Sequence, residues 1–160
     1  MPSRITSPAL SVTGALDALQ KLSQAADQAA SQAGLPQSTL ELVNLRASQI
    51  NGCAVCLDMH SRGARKAGEA DERLFTLAAW RDAPYFTDAE RAALALTEAG
   101  TRLADQADAV PDAVFDEAAK HYDEPALAAL VVSIAAINTW NRLNVITAQE
   151  AGEWTAQWAS

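Results

Sequence analysis

Apolar positions along the chain recur at helical spacing, and stop signals cut them into about seven segments. Residues 11–33 carry Leu16, Leu19, Leu22 and Ala26 on one stripe, ending at Gly34 with Pro36 behind it. Ser38-Thr39-Leu40-Glu41 has the form of a capping box and predicts a second helix with Leu42 and Leu45 that ends at Asn51-Gly52. A third helix starts near Cys53 and keeps Cys56, Met59, His60, Gly63 and Ala64 on one face as far as Lys66-Ala67-Gly68. Residues 71–80 predict a short helix. Thr87-Asp88-Ala89-Glu90 is a second capping box, opening a helix to about Leu103. Pro111 and Pro125 each suit the first turn of a further helix, the first reaching His121 and the second covering 126–146. That last segment, with Leu127, Leu130, Val131, Ile134 and Ile137, is apolar over more than one stripe, which predicts a place in the core or in a subunit interface.

The expected fold is therefore all-α: a single-domain helical bundle with Cys53 and Cys56 at a helix N-terminus, assembling into oligomers. An alanine-rich chain with only 6% aromatic residues leans the same way. Residues 1–35, rich in Ser, Ala and Gln, are expected as an N-terminal helical arm, and 36–160 as the main domain. Trp154 and Trp158, one helical turn apart, suit an oligomer contact.

A net charge of −8, with no stripe rich in Lys or Arg, excludes a polyanion partner, so no nucleic acid is expected. The N-terminal stretch lacks an apolar run behind a basic one, and no segment reaches the roughly 18 apolar residues of a spanning helix. The expectation is a soluble, cytoplasmic protein with no membrane partner.

The only two cysteines stand three positions apart, too few and too close for a secreted disulfide framework. At a helix start, unpaired N–H groups stabilise an anion and lower a thiol pKa. Buried cysteines serving as small hydrophobes are the bland alternative. His60 lies four residues after Cys56, on the same face and one turn away, where an imidazole can take its proton. His121, at the end of another helix, has no such register. If the second and third helices form a hairpin about Gly52, Glu41 lies 11 residues before the turn and His60 lies 8 after it. The axial offset is then about 4.5 Å. Glu41 can orient His60 or cap its own helix as the partner of Ser38, and the residues weigh the two roles equally. A zinc site on Cys53, Cys56, His60 and Glu41 is the rival. Three of its four ligands would come from one helical stretch, which cannot readily surround a tetrahedral ion, so no metal is expected.

Glu41, Cys53, Cys56 and His60, with Leu45, Ser48, Asn51-Gly52 and Asp58 around them, resemble the AhpD-like (alkylhydroperoxidase) branch of the carboxymuconolactone decarboxylase superfamily. The segments Leu77-Ala78-Ala79-Trp80-Arg81, Glu90-Arg91-Ala92-Ala93-Leu94 and Trp140-Asn141-Arg142 are similar too, while the first 35 residues stand outside the resemblance. The resemblance implies an all-helical subunit in trimers or hexamers and a disulfide-forming pair that reduces hydroperoxides, with no cofactor beyond that disulfide. It also points to lipoyl-type dithiols as reductant. One departure is Val55, where the best-studied members carry histidine.

The expected mechanism is a thiol-dependent peroxidase. Glu41 holds His60, His60 takes the proton of Cys56, the Cys56 thiolate attacks peroxide and Cys53 closes the disulfide; the helix-start position favours Cys53 as the thiolate instead, and the order is chosen on the register of Cys56 with His60. Cys53 is expected to be the more exposed sulfur, open to a reductant. A general disulfide reductase and a non-catalytic redox sensor are the alternatives. Trp140 is expected as a packing residue.

Overall fold

Helix follows helix through the computed structural model, which describes residues 2–104 and 106–152. The order is α1 (Pro8–Ser11), α2 (Ala15–Gln32), α3 (Gln37–Asn51), α4 (Ala54–Lys66), α5 (Asp71–Thr76), α6 (Asp88–Thr101), α7 (Asp112–His121) and α8 (Glu124–Ile146), with one 3-10 turn, Leu77–Ala79, after α5. No strand occurs among the described residues. The first expected helix starts later than its pattern suggested, at Ala15 behind Gly14 at φ +80°, and a separate single turn, α1, precedes it. Trp154 and Trp158 lie outside the described residues.

α8 is the axis of the bundle: α2 and α3 pack along it, α4 and α6 pack on α3, and α7 closes against α6. Contact on both sides explains why its apolar residues do not keep to one stripe. By length and composition it is long and apolar enough to cross a bilayer, contrary to the sequence expectation of no such segment. More than half of that window is buried inside the bundle, as befits a core helix. Ala30 and Leu35, at the end of the stretch expected as an arm, pack in the interior with Leu40, Val43, Leu127 and Leu130. A second cluster gathers Leu42, Leu45, Leu77, Trp80, Phe86 and Leu94.

The two capping boxes expected from sequence part ways. At α6, Thr87 Oγ1 accepts the Glu90 N–H at 3.2 Å and Glu90 Oε2 accepts the Thr87 N–H at 2.8 Å. At α3 the box does not form. Pro36, at φ −62° and ψ 136°, is the N-cap, and the helix begins at Gln37, one residue before Ser38, with no side-chain cap. Ser38 is then inside the first turn, and Glu41 lies too far along the helix to reach back.

A buried polar ladder fastens α3 to α8. Asn51 Nδ2 donates to Asn138 Oδ1 and to Asn141 Oδ1, each at 2.9 Å, and Asn141 Nδ2 donates to Ser48 Oγ at 3.0 Å. Asn138 Nδ2 reaches Thr101 Oγ1 on α6 at 3.1 Å. Removing any one member strands buried partners, at a cost of about 1–3 kcal/mol each.

Candidate active site

The turn between α3 and α4 builds the site. Gly52 ends α3 at φ +68°, a left-handed conformation open to glycine without strain. The Cys53 N–H bonds back to the Ser48 carbonyl at 3.0 Å, so the chain reverses within one residue and Cys53 becomes the N-cap of α4. Its Sγ accepts the Cys56 N–H at 3.4 Å and stands 2.9 Å from the Cys56 Sγ. Both thiols are free, and both are buried among Ala47, Val55 and Ile137.

Those contacts split the two acidities. The hydrogen bond from the Cys56 thiol, aided by the Cys56 backbone N–H, Asn144 and Asn141 and opposed by burial, brings Cys53 down to about 6. Cys56 is pushed up, first by the hydrogen bond it gives to Cys53, then by burial and by the charge on Cys53. The resting thiolate therefore belongs to Cys53, the sulfur that its helix-start position favours, while Cys56 keeps the proton. The pair holds one proton between two sulfurs already in contact.

Exposure reverses the expectation. Cys53 is 1% exposed and Cys56 4%, and only Cys56 lines the adjoining cavity of about 310 Å³. Cys53 is covered because the α3–α4 turn is clamped to α8, where Asn141 and Ile137 sit over it.

Across the same cavity Glu41 Oε2 lies 2.8 Å from His60 Nδ1. A carboxylate accepts only, so Nδ1–H donates to Glu41, and Nε2 is left as the basic nitrogen. Hairpin arithmetic from the sequence anticipated this meeting, and the failed capping box leaves the carboxylate free for it. His60 and Glu41 both line the cavity with Cys56, so the structure brings the imidazole and that sulfur to one chamber.

Val55, Met59, Ile137 and Trp140 supply much of the apolar wall. Trp140, expected only to pack, lines the chamber and donates Nε1–H to Ser23 Oγ at 3.2 Å. Two residues that sequence reasoning passed over also belong here. Asn144 on α8 donates Nδ2–H to the Cys56 Sγ at 3.5 Å; its signal was the Asn138, Asn141, Asn144 spacing in an otherwise apolar helix. Asp27 on α2 lines the cavity, and its carboxyl is raised by burial and then by the charge of Glu41, with His60 acting the other way. Setting residues 1–35 aside as an arm hid it.

An all-helical subunit with a CxxC dithiol at a helix start and a His–Glu pair beside it is of the AhpD-like class. The chain belongs to the carboxymuconolactone decarboxylase family, which it matches over residues 15–99, a match that begins at the start of α2. It is 39% identical to the uncharacterized protein YdfG of Bacillus subtilis over 120 residues, 75% of this chain and 80% of that one. A 43-residue stretch is 44% identical to alkyl hydroperoxide reductase AhpD of Bradyrhizobium diazoefficiens, covering 27% of this chain and 24% of that protein. Among solved structures, an Agrobacterium tumefaciens protein of unknown function, provisionally described as the antioxidant defence protein AhpD, superposes with a TM-score of 0.82. It is 33% identical, with 93% of this chain and 97% of that one covered. Debrominase Bmp8, crystallised as a cysteine-to-alanine variant in complex with 2,3,4-tribromopyrrole, shares the fold at a TM-score of 0.70 and 22% identity, covering 86% of this chain and 70% of that one.

Proposed function

We propose that the protein is a thiol-dependent peroxidase that reduces organic hydroperoxides through a Cys53/Cys56 dithiol–disulfide cycle. The observation that carries this reading is a pair of sulfurs 2.9 Å apart, one a stabilised thiolate and the other facing a cavity that also holds His60. In the cycle the Cys56 proton passes to His60 Nε2, and the Cys56 thiolate attacks the terminal peroxide oxygen. The S–O bond forms, the O–O bond breaks, and the alkoxide leaves as alcohol with a proton from His60, whose positive form Glu41 steadies. The Cys53 thiolate then attacks the Cys56 sulfenic sulfur, the S–O bond breaks, and the pair closes to the roughly 2.0 Å of a disulfide while the hydroxide takes a proton from solvent and leaves as water.

An external dithiol returns two electrons. It meets Cys56 from the cavity and displaces Cys53, whose low pKa makes it the better leaving thiolate. The narrow approach favours a slim dithiol of the lipoyl type. An oligomer, trimer or hexamer, belongs to the same reading, and Val131, Val145 and Ile146 are exposed apolar residues of α8 that a partner subunit would cover.

The test is steady-state reduction of cumene hydroperoxide with supplied dihydrolipoamide, together with mass spectrometry of the oxidised protein. Expected are turnover that stops when either cysteine becomes serine, and the joint loss of both thiols without intermolecular bonds. A disulfide that forms and reverses without turnover would overturn the peroxidase in favour of a redox sensor.

A further inference from the structure

Charge is unevenly placed in the cavity. α2 contributes Asp27, α3 contributes Glu41 and α4 contributes His60, while α8 lines it with residues that carry no charge. Among the described residues, no lysine or arginine lines it. The one group able to become positive, His60, is already held by Glu41 at 2.8 Å. Asp27, exposed at the chamber's edge, makes no hydrogen bond or ion pair and meets Glu41 and His60 through charge alone. The remaining wall, with Leu16, Val55, Met59, Ile137 and Trp140, suits a compact apolar body.

Resting on the peroxidase reading for the identity of the ligand, we propose that this cavity selects by charge: it admits uncharged apolar hydroperoxides and turns away those bearing a carboxylate, with Asp27 as the specificity-determining residue. A carboxylate inside the chamber has no cation to meet and two of its own sign nearby. Repulsion between like charges a few ångströms apart in a partly desolvated site is worth about tenfold or more in affinity. An uncharged ligand gives up nothing of this kind. The raised Asp27 carboxyl agrees, since it already registers the burial and the Glu41 charge that an incoming carboxylate would meet. Asp27 makes no hydrogen bond that Asn would break, so exchanging it removes the charge and leaves the fold.

The experiment compares cumyl alcohol with its para-carboxylate and para-aminomethyl analogues in binding to the reduced full-length protein by calorimetry, and cumene hydroperoxide with its para-carboxylate in turnover. The carboxylate should bind at least about tenfold more weakly than the alcohol, the ammonium analogue should not share that loss, and Asp27→Asn should narrow the gap between alcohol and carboxylate by about threefold or more. Equal binding of the three, equal weakening by either sign of charge, no binding at all, or a gap untouched in Asp27→Asn would each overturn the proposal. If the charge order appears in binding while neither hydroperoxide turns over, the peroxidase reading fails and charge selection stands. Equal turnover of both hydroperoxides sinks charge selection and keeps the peroxidase.

Discussion

Replacing Cys56 by alanine isolates the feature on which the site's reactivity turns. In the native pair Cys53 sits at about 6, with the Cys56 thiol as the largest single cause. A hydrogen bond to a charged group is worth about 1.5–3 kcal/mol, which is about 1–2 pK units. The backbone N–H at position 56 and Asn144 remain in Cys56→Ala, so Cys53 should move up by that amount only, to about 7–8. For an acid the thiolate is the form populated above the pKa. At neutral pH the thiolate share of Cys53 should then fall from about nine-tenths to between about one-half and one-tenth. Far-ultraviolet thiolate absorbance against pH reads this directly, because the variant has one cysteine and the assignment is unambiguous. Alkylation rates are the poorer guide, since removing the Cys56 side chain also opens a path from the cavity to Cys53. A variant that still titrates near 6 would refute the inter-thiol bond as the cause and leave the helix start and the asparagines to explain it. A native protein with no titration below 8 would remove the resting thiolate altogether.

His60→Gln should slow the reaction of the reduced protein with peroxide by about 10²-fold, and Glu41→Gln by less; stopped-flow oxidation measures both, and a Glu41→Gln variant that loses melting temperature but no rate would restrict Glu41 to a structural part. Dihydrolipoamide should reduce the oxidised protein faster than thioredoxin or glutathione in side-by-side stopped flow at matched thiol concentration, and a clear win for thioredoxin would defeat the access argument. Light scattering should give a mass well above the 16.9 kDa of one chain, and a monomer at micromolar concentration would count against the assembly.

The helical class, the turn at Gly52 and the Glu41–His60 meeting could all be read from residue order, because each depends on spacing along two consecutive helices joined by one tight turn. The Ser38 capping box could not be trusted for the opposite reason. Ser, Thr and Glu occupy the right offsets, but Pro36 can cap a helix by its backbone alone, and a start two residues earlier removes the reciprocal bonds. Thr87 has no such competitor directly before it, and its box forms. The buried state of Cys53 was out of reach because it depends on a helix more than 80 residues away. Position at a helix start tells which N–H groups reach a sulfur, whereas coverage by Ile137 and Asn141 is a property of how α8 crosses the α3–α4 turn.

That crossing bears on Val55, the position at which the sequence departs from the family it resembles. Val55 is 4% exposed and packs with both cysteines, Ala47 and Ile137, and it lines the same wall as Cys56. A polar ring there would bring a second proton carrier to the sulfurs, whereas valine leaves the pair each other, Asn141 and Asn144 as polar side-chain neighbours, with His60 in the same chamber as Cys56. Under the proposed cycle, one proton must leave Cys56 before attack and one must reach the departing alkoxide. His60 Nε2, in the same chamber as Cys56, takes the first and returns it as the second, so one imidazole serves both transfers. Val55→His tests this: an added carrier that raises the peroxide rate at neutral pH would show that proton transfer limits the native site, and an unchanged rate with native pH dependence would agree with His60 already moving both protons.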